Sequence, residues 1–140
     1  MKATHTNGQE LEAPWLTDTL TKSLSTECDV GSYKVLKHIT GAHSSTMKLQ
    51  LHCEKIPSVY WKRVVVRDLP AKAPYKLIRD VNSYITEALV YERLSTELNQ
   101  KGVRTPYCYY AQKKIVESDL TQSEFLLLLE DLTVSGFAQR

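Results

Sequence analysis

Two charged residues sit where a charge is costly, and they point to the chemistry this sequence could support. Between about Leu77 and Leu98, apolar side chains recur at helical spacing. The stripe made by Tyr91, Leu94 and Leu98 also contains Glu87. A carboxylate buried alone is expensive, so Glu87 calls for a cation. Glu92 lies in the same apolar arc and is an alternative, and either glutamate could instead snorkel to the helix edge or form a purely structural ion pair. The candidate cation is Arg67, which shares a strand face with Val65 by period two, opposite Val64 and Val66. Upstream, Thr40, Gly41, Ala42, His43, Ser44 and Ser45 make a small polar turn. A helix carboxylate paired to a strand cation beside such a turn is an arrangement that cradles phosphate, with loop N–H groups and the cation both reaching the anion.

The elements that must position these groups are legible. Pro14 to Leu24 reads as a short helix, with Pro14 in its first turn and Trp15, Leu16, Thr19, Leu20 and Leu24 near helical spacing. Tyr33 to Ile39 alternates as a strand, and Met47, Leu49, Leu51 and Cys53 alternate with polar residues as a second. The polar turn between them predicts a hairpin. Val59 to Leu69 reads as a third strand, and Pro70 and Pro74 bracket a loop. The long helix follows, closed by Gly102. Tyr107 to Val116 is a fourth strand. Phe125 to Leu129 is a fifth, apolar at every position and therefore expected to be buried on both faces. Hairpin-length connections favour an antiparallel sheet, so the expected fold is α+β: five antiparallel strands, one long covering helix and a short N-terminal helix.

Size and composition bound the rest. A chain of 140 residues, 42% hydrophobic and 24% charged, with 5 Gly and 5 Pro, is ordinary for one globular domain. Residues 1–13 read as a flexible tail, 14–133 as the single domain and 134–140 as a hinge and C-terminal tail. The longest apolar run, Phe125 to Leu129, is far short of the roughly 20 residues that span a bilayer. Residues 1–13 lack the apolar stretch of a signal peptide, which predicts a cytoplasmic protein. Cys28, Cys53 and Cys108, odd in number and widely spaced, fit reduced thiols better than a disulfide framework. The net charge of +2 is uneven: −3 over residues 1–33, +7 over 34–80 and −2 over 81–140. The basic middle could attract a nucleotide or a nucleic acid, although solvated strand faces explain the charge alone better.

Taken together, the residues resemble the N-terminal lobe of a kinase-like phosphotransferase, closest to the ecdysteroid-kinase-like and choline-kinase-like branch of the aminoglycoside phosphotransferase superfamily. Pro14 to Leu24 resembles its N-terminal helix, and Thr40 to Thr46 its nucleotide loop. Val64 to Pro70 resembles its third strand, where a Lys precedes a Pro by three residues. Glu87 to Tyr91 matches its E-x-x-x-Y, and Leu127 to Leu132, followed by Gly136 and Phe137, its fifth strand and hinge. The likeness covers about Pro14 to Phe137, and the hinge string is its most specific piece.

The resemblance implies an ATP-binding lobe of an enzyme that phosphorylates a hydroxyl group. Gly41, Ala42, His43, Ser44 and Ser45 would cover the phosphates, Arg67 would contact them in place of the family Lys, and Glu87 would hold Arg67. The backbone of Glu130 and Leu132 would hydrogen-bond adenine, with Val65 and Leu129 lining its pocket. Arg67 departs from the family Lys, and its planar fork is no conservative swap. The catalytic Asp and the magnesium ligands would come from a second lobe. Arg67-Asp68-Leu69 superficially resembles H-R-D-L, but the Asn expected five residues after the Asp falls on Ala73. The chain is thus expected to bind ATP and to be inactive alone, as a truncated or split chain whose partner is a separate C-lobe chain. The alternative is a non-catalytic interaction module that associates with itself or another protein through an apolar lobe–lobe surface around Phe125 to Leu129. Tyr107, Tyr109 and Tyr110 could stack on bases, but strand packing accounts for them better, and the four histidines show no metal-ligand spacing.

Overall fold

Strand alternation and two amphipathic helices build one antiparallel sheet with a helix on each side. The computed structural model describes residues 3, 10–40, 44–68, 73–102 and 105–132. In chain order these form α1 (Ala13–Leu24), β1 (Tyr33–Thr40), β2 (Ser45–Leu51), β3 (Ser58–Val65), α2 (Pro74–Leu89), α3 (Ser95–Gln100), β4 (Cys108–Lys114) and β5 (Glu124–Glu130). The sheet order is β1-β2-β3-β5-β4, with every neighbouring pair antiparallel. The α+β class and the five-stranded antiparallel sheet are as the sequence predicts.

The central place of β5 explains its composition. It pairs with β3 on one edge and β4 on the other, and Phe125 to Leu129 are all buried because helices cover both of its faces. On one face, Leu16 and Leu20 of α1 pack with Leu49, Leu51, Val59, Trp61, Leu126 and Leu128. Trp15 sets its ring edge-on against Trp61 and Tyr110, with centroids 5.7 and 4.9 Å apart. Such pairs add about 0.5–1.5 kcal/mol beyond area burial. Leu11 and Ala3, in the segment read as a flexible tail, also join this core. The Leu11 N–H donates to the Ala3 carbonyl at 2.8 Å, and the Tyr33 hydroxyl donates to the Leu11 carbonyl at 2.6 Å.

α1 begins with Pro14 in its first turn and ends at Ser25, whose φ of 54° is left-handed. Two threonines then strap the following loop to the helix. Thr17 Oγ1 accepts from the Val30 N–H at 2.9 Å, and Thr21 Oγ1 from the Cys28 N–H at 3.1 Å.

On the other face, α2 packs Val81 against Val64, Val66 and Phe125, and Ala88 against Leu127 and Leu129. The helix differs from the continuous Leu77–Leu98 segment expected. It starts at Pro74, gives way to a π-helical turn over Val90–Leu94 and resumes as α3. A π turn is wider than an α turn, so a constant angular step fails beyond Leu89. Gly102, at φ +85°, does close the helical region. β3 is also shorter than expected. Its partner β5 starts at Glu124, opposite Val65, so the chain has no ladder to follow further and turns as a 3-10 segment over Val66–Asp68.

Candidate functional site

The ion pair between sheet and helix exists, but its cation is Lys62. Along β3, Val59 and Trp61 point into the α1 core, so Tyr60, Lys62 and Val64 point to the α2 side. There Lys62 Nζ donates to Glu87 Oε1 at 2.6 Å. The side chains are 26% and 41% exposed, so the pair is half-open to solvent. In the ladder Lys62 lies opposite Thr46 of β2, next to the start of that strand at Ser45. The start of β2, at Ser45 and Thr46, therefore stands beside Lys62 in the ladder. Tyr84 and Tyr91 of the same helical region neighbour Glu87, and burial first, then nearby negative charge, raises both phenols above their usual range.

The same face continues towards the other end of β2 and β3. Asp131, fully buried after β5, accepts from Ser58 Oγ at 2.9 Å and lies 3.3 Å from Lys48 Nζ. Lys48 also stands 5.9 Å from the centre of the Tyr60 ring. α2 covers β4 and β5, and register places Lys34 opposite Gln50 and Lys37 opposite Lys48 on the uncovered half. This half-face carries Lys34, Lys37, Lys48 and Lys62 together with Glu87 and Asp131, so its charge is in positive excess. It is a surface able to attract an anion, with the Lys48 and Lys62 heads each held by a carboxylate.

Arg67 is elsewhere. It lies in the 3-10 turn after β3 and on the α1 side, where NH1 is 4.0 Å from Glu124 Oε2. The expected Arg67–Glu87 couple is therefore corrected: period two carries a side chain to the predicted face only while the strand lasts, and β3 stops at Val65. Glu124 itself is 1% exposed, with Arg63 NH2 at 2.9 Å and Lys114 Nζ at 3.8 Å.

The expected adenine pocket is also corrected. Val65 pairs with Glu124 and shares its α1-side face, while Leu129 packs with Ala88, Tyr60 and Tyr91 on the α2 side. The two residues lie on opposite faces of the sheet. At the position expected for a hinge, the Glu130 N–H already donates to the Tyr107 carbonyl at 2.8 Å, and Glu130 Oε1 accepts from the Tyr107 N–H at 3.1 Å. That amide is engaged in the strand edge, which removes it as a donor to a base. Leu132 sits half-buried in the turn that follows. Of the expected phosphate loop, Ser45 opens β2, its Oγ 2.6 Å from His38 Nε2 of β1, and Ser44 is half-buried just before that strand. Gly41, Ala42 and His43 lie outside the described residues. The apolar lobe–lobe surface expected around Phe125 to Leu129 is not exposed either, because both helices cover that strand within the chain.

Two relationships escaped the sequence reading. Lys62 had a signal, since Val59 and Trp61 alternate with Tyr60 and Lys62 before the valine run begins. Cys28 and Cys53 had none: the fold brings their sulfurs to 3.1 Å. Among the described residues, no three His, Cys, Asp or Glu side chains converge on a metal position, and no helix is long and apolar enough to cross a membrane. No protein-family model, no curated protein and no solved structure matches the chain.

Proposed function

We propose that this chain is a nucleotide-binding, kinase-like N-lobe that grips ATP phosphates for a phosphotransferase acting on a small-molecule hydroxyl. The observation that carries the reading is the Lys62–Glu87 pair at 2.6 Å, with Lys62 opposite Thr46 at the start of β2. A lysine is a compact, mobile point charge suited to phosphate oxygens, and Glu87 limits its rotamers so that it meets the anion already oriented. The neighbouring lysines of β1 and β2 enlarge the positive field. The departure that Arg67 represented falls away in this reading, because the strand cation is a Lys.

ATP fits this surface at its phosphates. The adenine slot expected between Val65 and Leu129 does not form, so the proposal rests on phosphate contacts and assigns no base pocket. ATP supplies the phosphoryl group, while this chain's residues bind and orient it. Transfer needs a general base and magnesium ligands, which the resemblance places in a second lobe.

Thermal unfolding of the purified chain with ATP, tripolyphosphate or adenosine tests the proposal. ATP and tripolyphosphate should raise the melting temperature, since a ligand at 100 times its dissociation constant adds about 2.7 kcal/mol. Adenosine should leave it unchanged. No shift with millimolar ATP or tripolyphosphate at low salt refutes the reading.

A further inference from the structure

We propose that Cys28 and Cys53 are a thiol pair built to close into a disulfide when the chain meets a neutral hydroperoxide. Their sulfurs are 3.1 Å apart although 25 residues separate them in sequence. Bond formation needs the sulfurs to approach by about 1 Å. The backbone is already held in place for it. The Gly31 N–H donates to the His52 carbonyl at 3.4 Å, and the His52 N–H donates to the Ser32 carbonyl at 2.9 Å. Lys55 Nζ adds a bond to the Glu27 carbonyl at 2.5 Å, and Thr21 Oγ1 holds the Cys28 N–H. The loop after α1 and the end of β2 are thus clamped together on both sides of the sulfurs.

The two thiols differ in a way that sets the order of events. Cys28 is 1% exposed, and burial, its contact with Cys53 and the Cys53 charge push its pKa up to about 12. It stays a thiol at neutral pH. Cys53 is half-exposed at an open cleft of about 320 Å³ lined by Glu27, Cys28, Asp29, Cys53, Glu54 and Lys55. That lining has three carboxylates against one lysine, which repels an anionic oxidant and admits an uncharged one.

The chemistry balances. The Cys53 thiolate attacks one peroxide oxygen and the O–O bond breaks, leaving Cys53 as a sulfenic acid and releasing hydroxide, which takes up the proton lost by the thiol. The Cys28 sulfur then attacks the sulfenic sulfur. The S–S bond forms, the S–O bond breaks, and the departing hydroxide leaves as water with the Cys28 proton. Two thiols lose two electrons, and one hydrogen peroxide becomes two waters. Cys108 lies on the other face of the sheet, packed with Leu127 and Leu129, and takes no part.

Treatment of the full purified chain with equimolar hydrogen peroxide, then N-ethylmaleimide in denaturant, tests this by mass spectrometry. The mass before alkylation should fall by about 2 Da, as for one new S–S bond, and the maleimide adducts should drop from three, one per free cysteine, to one. A tryptic digest should join Ser23–Lys34 to Leu49–Lys55, and dithiothreitol should restore all adducts. Cys108→Ser should leave the cross-link intact, and Cys53→Ser should prevent it. The oxidised chain should also melt at a higher temperature than the reduced one. Three adducts after peroxide, a Cys53 that stops at sulfinic acid, or linkage through Cys108 would each overturn the proposal. The outcome is independent of nucleotide binding.

Discussion

Lys62 on β3 and Glu87 on α2 hold the sheet to the helix through one hydrogen-bonded ion pair at 2.6 Å. Both side chains remain partly solvated, so the pair is a weak source of stability. Exposed pairs contribute about 0.2–1 kcal/mol. The pair stands on a lysine-rich half-face, opposite the start of β2.

Glu87→Gln should therefore leave the urea unfolding midpoint nearly unchanged, with a stability loss below about 1 kcal/mol. The same variant should lose much of the melting-temperature rise produced by ATP, because Lys62 is no longer oriented. Parallel urea and thermal-shift measurements separate the two effects. A loss of several kcal/mol would make the pair a structural one.

Glu124 should behave in the opposite way. Its carboxylate is buried at the meeting point of Arg63, Arg67 and Lys114. Glu124→Gln leaves those cations close together without their counter-charge, and breaking a buried pair costs about 3–5 kcal/mol. Urea unfolding should show a loss of that order, and nucleotide response should persist in the folded fraction.

The difference between these two sites shows what could be read in advance. The strands were legible because the centre of β5, Phe125 to Leu129, is apolar at every position and β2 alternates, and α1 because Pro14 opens an apolar helical stripe. Glu87 was legible as a carboxylate on a packed face. Its partner was not, because choosing Arg67 extended period two past Val65, where the ladder ends. The pairing of Val65 with Leu129 in one pocket came from the family resemblance alone, and the β3–β5 register sets the two on opposite faces. The break in the long helix at Val90–Leu94 and the approach of Cys28 to Cys53 depend on tertiary packing, which spacing along the chain does not encode.

Alkaline solution should unfold the protein early. Burial raises Cys28 from 9.0 to about 12 and raises Tyr33, Tyr84, Tyr91 and Tyr110 above 10.0. For groups raised on folding, the unfolded chain releases protons first as pH climbs, so the native state binds more protons and stability falls with rising pH. Their contribution is complete below about pH 9 and is lost progressively above it. Denaturation midpoints between pH 7 and 11 should be flat at first and then decline. Cys28→Ala should remove the earliest part of that decline.

The core joining α1 to the sheet rests on Trp61, which is 2% exposed and stacked edge-on with Trp15. Trp61→Ala should cost about 3–5 kcal/mol. Lys62→Met, one residue along and on the opposite face, should cost far less, which urea unfolding of the two variants would show directly.

The decisive measurement is the affinity of the chain for a fluorescent ATP analogue, compared between wild type, Lys62→Met and Arg67→Met at one fixed salt concentration. A phosphate grip centred on Lys62 predicts at least a tenfold loss of affinity in Lys62→Met, equivalent to about 1.4 kcal/mol, and near wild-type binding in Arg67→Met. Equal binding by wild type and Lys62→Met, or a loss confined to Arg67→Met, would contradict it.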